Sequence, residues 1–135
     1  MAAECVLLYH CGGPEWARLR QTLVMLRLRL RMVEPRQYGL PLETVASGKA
    51  EGRFEEAGET EESFSEPMMV FCYLDDSRLD QALAALRRAG VPQVGLKAVL
   101  TTANREWNSR QLWNELRRER QAWAQRTQTR EASEC

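Results

Sequence analysis

Two short, uninterrupted apolar runs constrain the fold of this 135-residue chain more than any other feature. One spans Cys5–His10 and the other spans Met68–Leu74. Both are too short for a free-standing helix, and neither alternates with polar residues. Such runs are typical of strands that are covered on both faces, in the middle of a sheet. The sequence therefore predicts one sheet with these two strands at its centre.

A helix and a second strand follow the first run. Gly12 and Gly13 end the strand, and Pro14 with Glu15 has the character of a first helical turn. The apolar stripe of this helix is Trp16, Leu19, Leu23 and Leu26. From Arg27 the period changes to two, with Leu28, Leu30 and Met32 on one face. The pattern predicts an edge strand with one wet face that ends before Pro35.

The second run is followed by the same succession of elements. Asp75, Asp76 and Ser77 are all suitable helix caps, and Ser77 with Asp80 has the spacing of a capping box. The helix stripe that follows is Leu79, Ala82, Leu83 and Leu86. Gly90 and Pro92 end this helix. Residues 96–101 then predict a half-exposed edge strand, with Leu96, Ala98 and Leu100 facing the core.

The remaining segments are polar. Residues 49–66 are rich in glutamate and poor in aliphatic residues, so we expect a flexible acidic loop there. Asn108 and Gln111 have capping-box spacing and predict the start of a last helix. Residues 1–124 are expected to form a single domain that contains this loop, and residues 125–135 a disordered tail.

The element order is β-α-β, acidic loop, β-α-β, α. It favours an α+β fold, a ferredoxin-like βαβ-βαβ sandwich with a four-stranded sheet and an added C-terminal helix. A small doubly wound α/β parallel sheet is the alternative. That alternative needs a crossover helix between Met32 and Met68, where the sequence predicts only one helical turn near Pro41. We therefore prefer the ferredoxin-like arrangement.

Composition excludes several classes of function. The formal net charge is zero, so no global field attracts nucleic acid or a membrane surface. No apolar run has the length of a membrane span, and the first residues lack the pattern of a signal peptide. The cysteines show no CxxC spacing and His10 is the single histidine, so we expect no metal and no cofactor. Reduced thiols indicate a cytoplasmic protein.

The chain resembles a family of small bacterial proteins, the domain of unknown function 3783 family. The likeness rests on LKAVLTTANREWN and LWNELRRER, and on VLLYH, RMVEP, QYGLPLETVA and PMMVF, which together cover most of the chain except the acidic loop and the tail. The matching positions are Lys97–Thr101, Asn104, Trp107 and Asn108. Gly39 stands where the family's turn has Gln, which leaves that turn without an implied role. The resemblance implies the fold boundaries and a bacterial cytoplasmic protein, and it implies no activity.

The best candidate site lies at the end of the last predicted strand. Lys97, Thr101, Asn104, Arg105 and Trp107 place polar groups and an indole at a position where α/β folds often bind ligands. The structural interpretation is that Thr101 and Asn104 satisfy loop backbone while Trp107 fills a gap under the last helix. We expect this corner to bind a protein partner or a small ligand.

A second candidate is the turn formed by His10, Cys11, Gly12 and Gly13. Backbone N–H groups before a helix can hold an anion, and a thiolate there has a lowered pKa. The segment has no GxGxxG motif and no P-loop lysine. The two glycines are also explained by a tight turn alone. It leaves open a thiol- or nucleotide-handling enzyme that uses Cys11.

Two arginine-rich stretches with interleaved tryptophans form a third candidate, an RNA-binding surface. Zero net charge argues against it. The arginines are Arg18, Arg20, Arg27, Arg29 and Arg31 in the first stretch and Arg110, Arg117, Arg118, Arg120, Arg126 and Arg130 in the second, and the tryptophans are Trp16, Trp113 and Trp123.

No catalytic motif accompanies these candidates. The sequence contains no HExxH, no GxSxG and no carboxylate pair at an informative spacing, so we assign no catalytic residues. The sequence predicts a non-enzymatic regulatory or adaptor module, with the acidic loop and the 97–107 corner as its contacts. Pairing of two copies along the Lys97 edge strand predicts a homodimer.

Overall fold

The structure is a computed structural model. It describes residues 3–48 and 64–133, and from residue 123 onward it describes only the backbone. One sheet contains β1 (Cys5–Tyr9), β2 (Arg29–Met32), β3 (Met68–Cys72) and β4 (Leu96–Val99). The α-helices are α1 (Ala17–Met25), α2 (Leu42–Ala46), α3 (Asp76–Arg88) and α4 (Ser109–Ser133). Short 3-10 turns at Pro14–Trp16 and Pro35–Gln37 precede α1 and α2.

The two apolar runs are the two central strands. β1 and β3 pair directly and antiparallel, with Val6 opposite Phe71 and Leu8 opposite Met69. Every residue of both strands is buried. β2 and β4, whose apolar residues alternate with polar ones, are the edge strands as predicted.

The predicted α+β fold with a four-stranded sheet and an added C-terminal helix is confirmed. The strand order is β2-β1-β3-β4, and β1 with β2 and β3 with β4 are parallel neighbours. The strands of each βαβ unit are thus adjacent, whereas a split βαβ unit has another strand between them. The doubly wound alternative is wrong because β1 and β3 are antiparallel. Since α2 has only five residues, it cannot provide the crossover that parallel pairing would need.

Helices cover both faces of the sheet, which explains why the central strands do not alternate. On one face α1 and α3 cover Val6, Leu8, Met69 and Phe71. On the other face α2 and α4 cover Cys5, Leu7, Tyr9, Met68, Val70 and Cys72. Because every side chain of β1 and β3 meets a helical layer, polar residues would lose their hydration on either face.

Helix starts were predicted with mixed success. Asn108 N–H donates to Gln111 Oε1 at 2.9 Å, and Gln111 N–H donates to Asn108 Oδ1 at 2.9 Å, so the capping box before α4 is confirmed. Asp75, rather than Ser77, caps α3, because its Oδ1 accepts from the Arg78 N–H at 2.7 Å. The helix therefore begins at Asp76 and the Ser77–Asp80 spacing has no capping role.

The structure describes the last residues of the predicted acidic loop and the backbone of most of the predicted tail. Residues 49–63 lie outside the described residues, but Phe64 is buried between Tyr38 and Trp113. Glu66 forms an ion pair with Arg120 at 3.0 Å. α4 continues to Ser133, and its last part contains the strong helix formers Ala, Gln, Arg and Glu. The division into a domain of residues 1–124 and a tail of residues 125–135 stays a prediction.

Candidate functional site

An apolar groove between α3 and β4 is a concave surface in the described part of the chain. We call it the α3–β4 groove. Its floor comes from β3, and its walls come from α3, β4 and the loop that joins them. Its lining consists of Leu19, Met69, Phe71, Leu79, Leu83, Leu86, Arg87, Val91, Pro92, Gln93, Val94, Lys97, Ala98 and Val99.

The α3–β4 groove consists of two adjoining hollows with volumes of ≈ 170 Å³ and ≈ 260 Å³. Leu83, Arg87 and Lys97 line both hollows, so the two basic side chains stand where they meet. Each volume is below about 300 Å³, the lower end for small-molecule pockets. The hollows therefore fit single apolar side chains better than a drug-sized ligand.

Among the described residues, Arg87 and Lys97 are the only charged ones that line the α3–β4 groove. Both are exposed, and neither forms an ion pair with another described residue. An acidic group placed between the two hollows would meet two positive charges without displacing an existing partner. The groove therefore favours ligands that carry a carboxylate between apolar groups.

The sequence builds this groove through the way α3 ends. Leu79, Leu83 and Leu86 continue the apolar stripe of α3, but only Leu86 is buried. Gly90 has φ of 65°, a conformation in which it ends the helix without strain. The chain then runs through Val91 to Val94 before β4. Leu79 and Leu83 thus remain half-buried against an open edge strand instead of another element.

The predicted 97–107 corner is divided by the sheet. Lys97 points to the α3 side and lines the groove, whereas Trp107 packs on the opposite side with Leu42 and Leu112. The five predicted residues therefore do not form one surface. Lys97 belongs to the candidate site, and the other four lie in the loop that leads to α4.

Thr101 and Asn104 hold this loop together. Asn104 Oδ1 accepts from the Thr101 N–H at 2.8 Å, and Asn104 Nδ2 donates to Val99 O at 3.0 Å. Thr101 Oγ1 accepts from the backbone N–H groups of Ala103 and Asn104. Arg105 and Trp107 supply backbone carbonyls to the first N–H groups of α2, at Glu43 and Leu42. These contacts support the structural interpretation of the loop.

Replacing Asn104 by alanine is expected to destabilise the protein by about 1–3 kcal/mol, the cost of leaving buried backbone groups without a partner. Asn104 is only 9% exposed and satisfies both Thr101 and Val99. Chemical denaturation measures the effect, and Thr102→Ala, at an exposed neighbouring position, is the control. Unchanged stability in Asn104→Ala would contradict the structural role and return the residue to the candidate ligand contacts.

The outer edge of β4 offers few free backbone groups. Leu100 N–H donates inward to Phe71 O at 2.9 Å, so by alternation Lys97 and Val99 turn their backbone groups outward. Asn104 Nδ2 already occupies Val99 O. A four-residue edge with one carbonyl occupied and a lysine beside it is poorly suited to long strand pairing. The homodimer along this edge stays a prediction.

The surroundings of the glycine turn disfavour a reactive thiol at Cys11. Cys11 is buried, its Sγ lies 3.3 Å from Tyr9 O, and burial raises the pKa of the thiol to about 11. His10 Nε2 lies 2.6 Å from Phe64 O and 3.0 Å from the Tyr38 hydroxyl. Since a carbonyl oxygen only accepts, His10 carries its proton on Nε2. These contacts argue against a thiolate at Cys11.

Anion binding at Gly12 and Gly13 is also disfavoured. The carboxylate of Glu15 lies 2.5 Å from where a side chain at Gly13 would begin, so negative charge already fills that space. Arg20 donates to the carbonyl oxygens of Cys11 and Gly13 at 2.7 and 2.9 Å. The turn therefore presents a carboxylate and a guanidinium that is already hydrogen-bonded to backbone carbonyls.

Several of the arginines proposed for RNA binding are engaged by the protein itself. Arg18 donates to Ala89 O at 3.1 Å, and Arg31 donates to Ala46 O at 3.1 Å. Trp16 is buried, and Trp113 lies between the Phe64 ring and the Arg117 guanidinium, which is 4.5 Å from the ring centre. Bases would have to displace these contacts to stack on either indole.

The described residues contain neither a metal-binding cluster nor a membrane-spanning helix. Within residues 3–48 and 64–133, no group of three or more histidine, cysteine, aspartate or glutamate side chains is placed to hold a metal ion. In the same part of the chain, no helix has both the length and the apolar character needed to cross a membrane.

Comparison with known proteins gives one match. Residues 67–123 match the family model described as Domain of unknown function (DUF3783). This confirms the resemblance over β3, α3, β4 and the first part of α4, a range that contains every groove residue except Leu19. The likeness of the segments before residue 67 stays a prediction. No curated protein and no solved structure matches the chain.

Proposed function

We propose that this chain is a non-enzymatic adaptor or regulatory module of the bacterial cytoplasm that binds a protein partner. The α3–β4 groove docks an extended segment of that partner. The segment carries two apolar side chains, one for each hollow, and a carboxylate between them. This carboxylate pairs with Arg87 and Lys97.

The observation that carries the proposal is the placement of Arg87 and Lys97 between two apolar hollows. Buried apolar contacts supply affinity at such a surface, and the charge pair fixes the register of the bound segment. The described residues that line the groove include no histidine, cysteine, aspartate or glutamate, so they offer no general base or nucleophile of these types. This chemistry supports binding rather than catalysis.

The cytoplasmic setting is supported by the thiols. Cys5, Cys11 and Cys72 are all free, although Cys5 and Cys72 stand opposite each other on paired strands. Proteins of oxidising compartments tend to use such pairs as structural disulfides.

Selection from a random peptide display library tests the function. We expect the selected peptides to share an acidic residue flanked by apolar residues. Arg87→Glu combined with Lys97→Glu should weaken their binding by roughly 10- to 150-fold, since losing a charge-assisted contact costs about 1.5–3 kcal/mol. Isothermal titration calorimetry with a synthetic selected peptide measures this change.

Arg88→Glu is the matched control, because Arg88 is exposed in the same helical turn but does not line the groove. It should leave the peptide Kd nearly unchanged. Equal losses in the control and in the double variant would indicate a non-specific charge effect and contradict docking in the groove. Peptides without an acidic residue, or a small molecule that binds with the double variant unaffected, would also overturn the proposal.

A further inference from the structure

Cys5 and Cys72 form a cross-strand pair in the centre of the sheet. They stand directly opposite each other where β1 and β3 run antiparallel, and both side chains belong to the layer under α2 and α4. Directly opposed residues have Cα atoms about 4.5 or 5.5 Å apart. A disulfide accepts Cα separations of about 4.4–6.8 Å. The backbone therefore already has the spacing that an S–S bond requires.

The two thiols have different surroundings. Cys5 Sγ donates to Ala46 O at 3.4 Å, and Arg31 Nε donates to the same carbonyl at 3.1 Å. The guanidinium of Arg31 is thus held beside Cys5. Cys72 Sγ donates to Val70 O at 3.7 Å, within its own strand.

This asymmetry separates the two thiols chemically. The neighbouring Cys72 thiol and the positive charge of Arg31 lower the pKa of Cys5, although burial opposes them. The adjacent Cys5 and burial raise the pKa of Cys72. Arg29 adds a smaller favourable charge near Cys5, and Tyr9, Tyr73 and Glu43 are further titratable groups around the pair. Cys5 is therefore the better nucleophile, and Cys72 is the resolving thiol that attacks the oxidised Cys5.

The cover over this pair is short. α2 is tied at its first residues, where Leu42 and Glu43 donate to the 101–107 loop. At its last residues, Ala46 O accepts from Cys5 Sγ and from Arg31 Nε. α2 has only five residues, and local opening of this short helix would admit a small oxidant to the buried sulfur atoms.

We infer that Cys5 and Cys72 are a reversible redox site whose substrate class is hydroperoxides. The Cys5 thiolate attacks the terminal peroxide oxygen, the O–O bond breaks, and the alcohol or water leaves with a proton. This forms a sulfenic acid on Cys5. The Cys72 sulfur, after losing its proton, then attacks Cys5 Sγ, the S–O bond breaks and water leaves. Two thiols are oxidised by two electrons to one disulfide, and the peroxide is reduced.

The Cys5–Cys72 disulfide would link β1 covalently to β3. Cys5 would also lose its hydrogen bond to Ala46 O, so oxidation would loosen the last turn of α2. This inference is independent of the peptide-binding function, because the pair and the α3–β4 groove lie on opposite faces of the sheet.

Hydrogen peroxide treatment of the full chain followed by peptide mapping tests the inference. We expect a Cys5–Cys72 disulfide that dithiothreitol reverses. A Cys11→Ser, Cys135→Ser variant keeps only the pair, and it should still lose two alkylatable thiols, measured after denaturation. A disulfide that involves Cys11 or Cys135 in the native chain would overturn the inference, as would a sulfinic acid on Cys5 without a disulfide.

Variants at the pair distinguish chemistry from folding. Cys5→Ser and Cys72→Ser should each abolish the disulfide while far-UV circular dichroism stays native. If either variant fails to fold, the Cys11→Ser, Cys135→Ser variant still shows whether Cys5 and Cys72 form a disulfide. Persistence of both thiols in that variant after peroxide treatment would contradict the site.

Arg31 acts as a positioning residue whose charge favours the Cys5 thiolate. Arg31→Gln should slow disulfide formation several-fold at neutral pH, and Arg31→Lys should restore part of the rate. Arg29→Gln is the matched control on the same strand, and its effect should be smaller because Arg29 is the weaker influence on Cys5. Equal rates in Arg31→Gln and wild type would remove Arg31 from the site.

Discussion

Replacing Phe64 by alanine is expected to lower the free energy of unfolding by about 3–5 kcal/mol, the range for removing a buried aromatic ring. Phe64 is only 4% exposed. Its ring stacks on Tyr38 with centroids 4.7 Å apart and on Trp113 at 5.3 Å. Deleting the ring leaves a cavity between α4 and the Pro35–Gln37 turn region, because neither neighbour can close the gap alone. Urea denaturation followed by far-UV circular dichroism measures the loss.

Met25→Ala is the control for this prediction, because Met25 is 77% exposed at the end of α1. It should change stability by no more than about 0.5 kcal/mol. A loss below about 1 kcal/mol in Phe64→Ala would contradict the packing of this ring, since even modest cavities cost more.

Leu7→Ala and Leu8→Ala are each expected to cost about 2–5 kcal/mol. The two leucines are neighbours on β1 and face opposite sides of the sheet, and both are fully buried. Leu7 meets the layer of α2 and α4, whereas Leu8 meets the layer of α1 and α3. Similar large losses would therefore show that both faces of the sheet are covered. The same denaturation measurement applies.

Val99→Ala serves as the control on an edge strand, where the side chain is 36% exposed. Its effect should stay within about 0.5 kcal/mol. A large loss in only one of the two leucine variants would mean that one face of β1 is accessible to water, which contradicts a sheet between two helical layers.

The sequence patterns predicted the elements well because each depends on local chemistry. A run without polar residues, as in Val6–Leu8, can only be buried on both faces, and this identified the central strands. Alternation at Leu28 and Leu30 identified an edge strand. The Asn108–Gln111 spacing located the start of α4, since a capping box needs only four residues.

The strand order could not be predicted in the same way. Both a split and an adjacent βαβ arrangement place β1 and β3 in the centre, so apolar content does not distinguish them. The choice depends on where the chain between Met32 and Met68 runs. Phe64, which closes that segment against Tyr38, stands among glutamates in sequence, and their charge concealed its burial.

The candidate site was predicted only in part for a related reason. Lys97 was identified from its strand end, but Arg87 lies in the last turn of α3, where the helix dipole alone accounts for a positive charge. Their proximity depends on the pairing of β3 with β4 and on how α3 lies across it. Likewise, Cys5 and Cys72 have no motif spacing, and only the antiparallel register of β1 and β3 brings them together.

Amide chemical-shift mapping of the isotope-labelled protein tests peptide docking in the α3–β4 groove most directly. The probe is the synthetic peptide selected by display. We predict that the largest shifts fall on Leu83, Arg87, Val94, Lys97 and Val99, and that Arg87→Glu combined with Lys97→Glu abolishes them. Shifts confined to the face of α2 and α4, or an undiminished response in the double variant, would contradict the account.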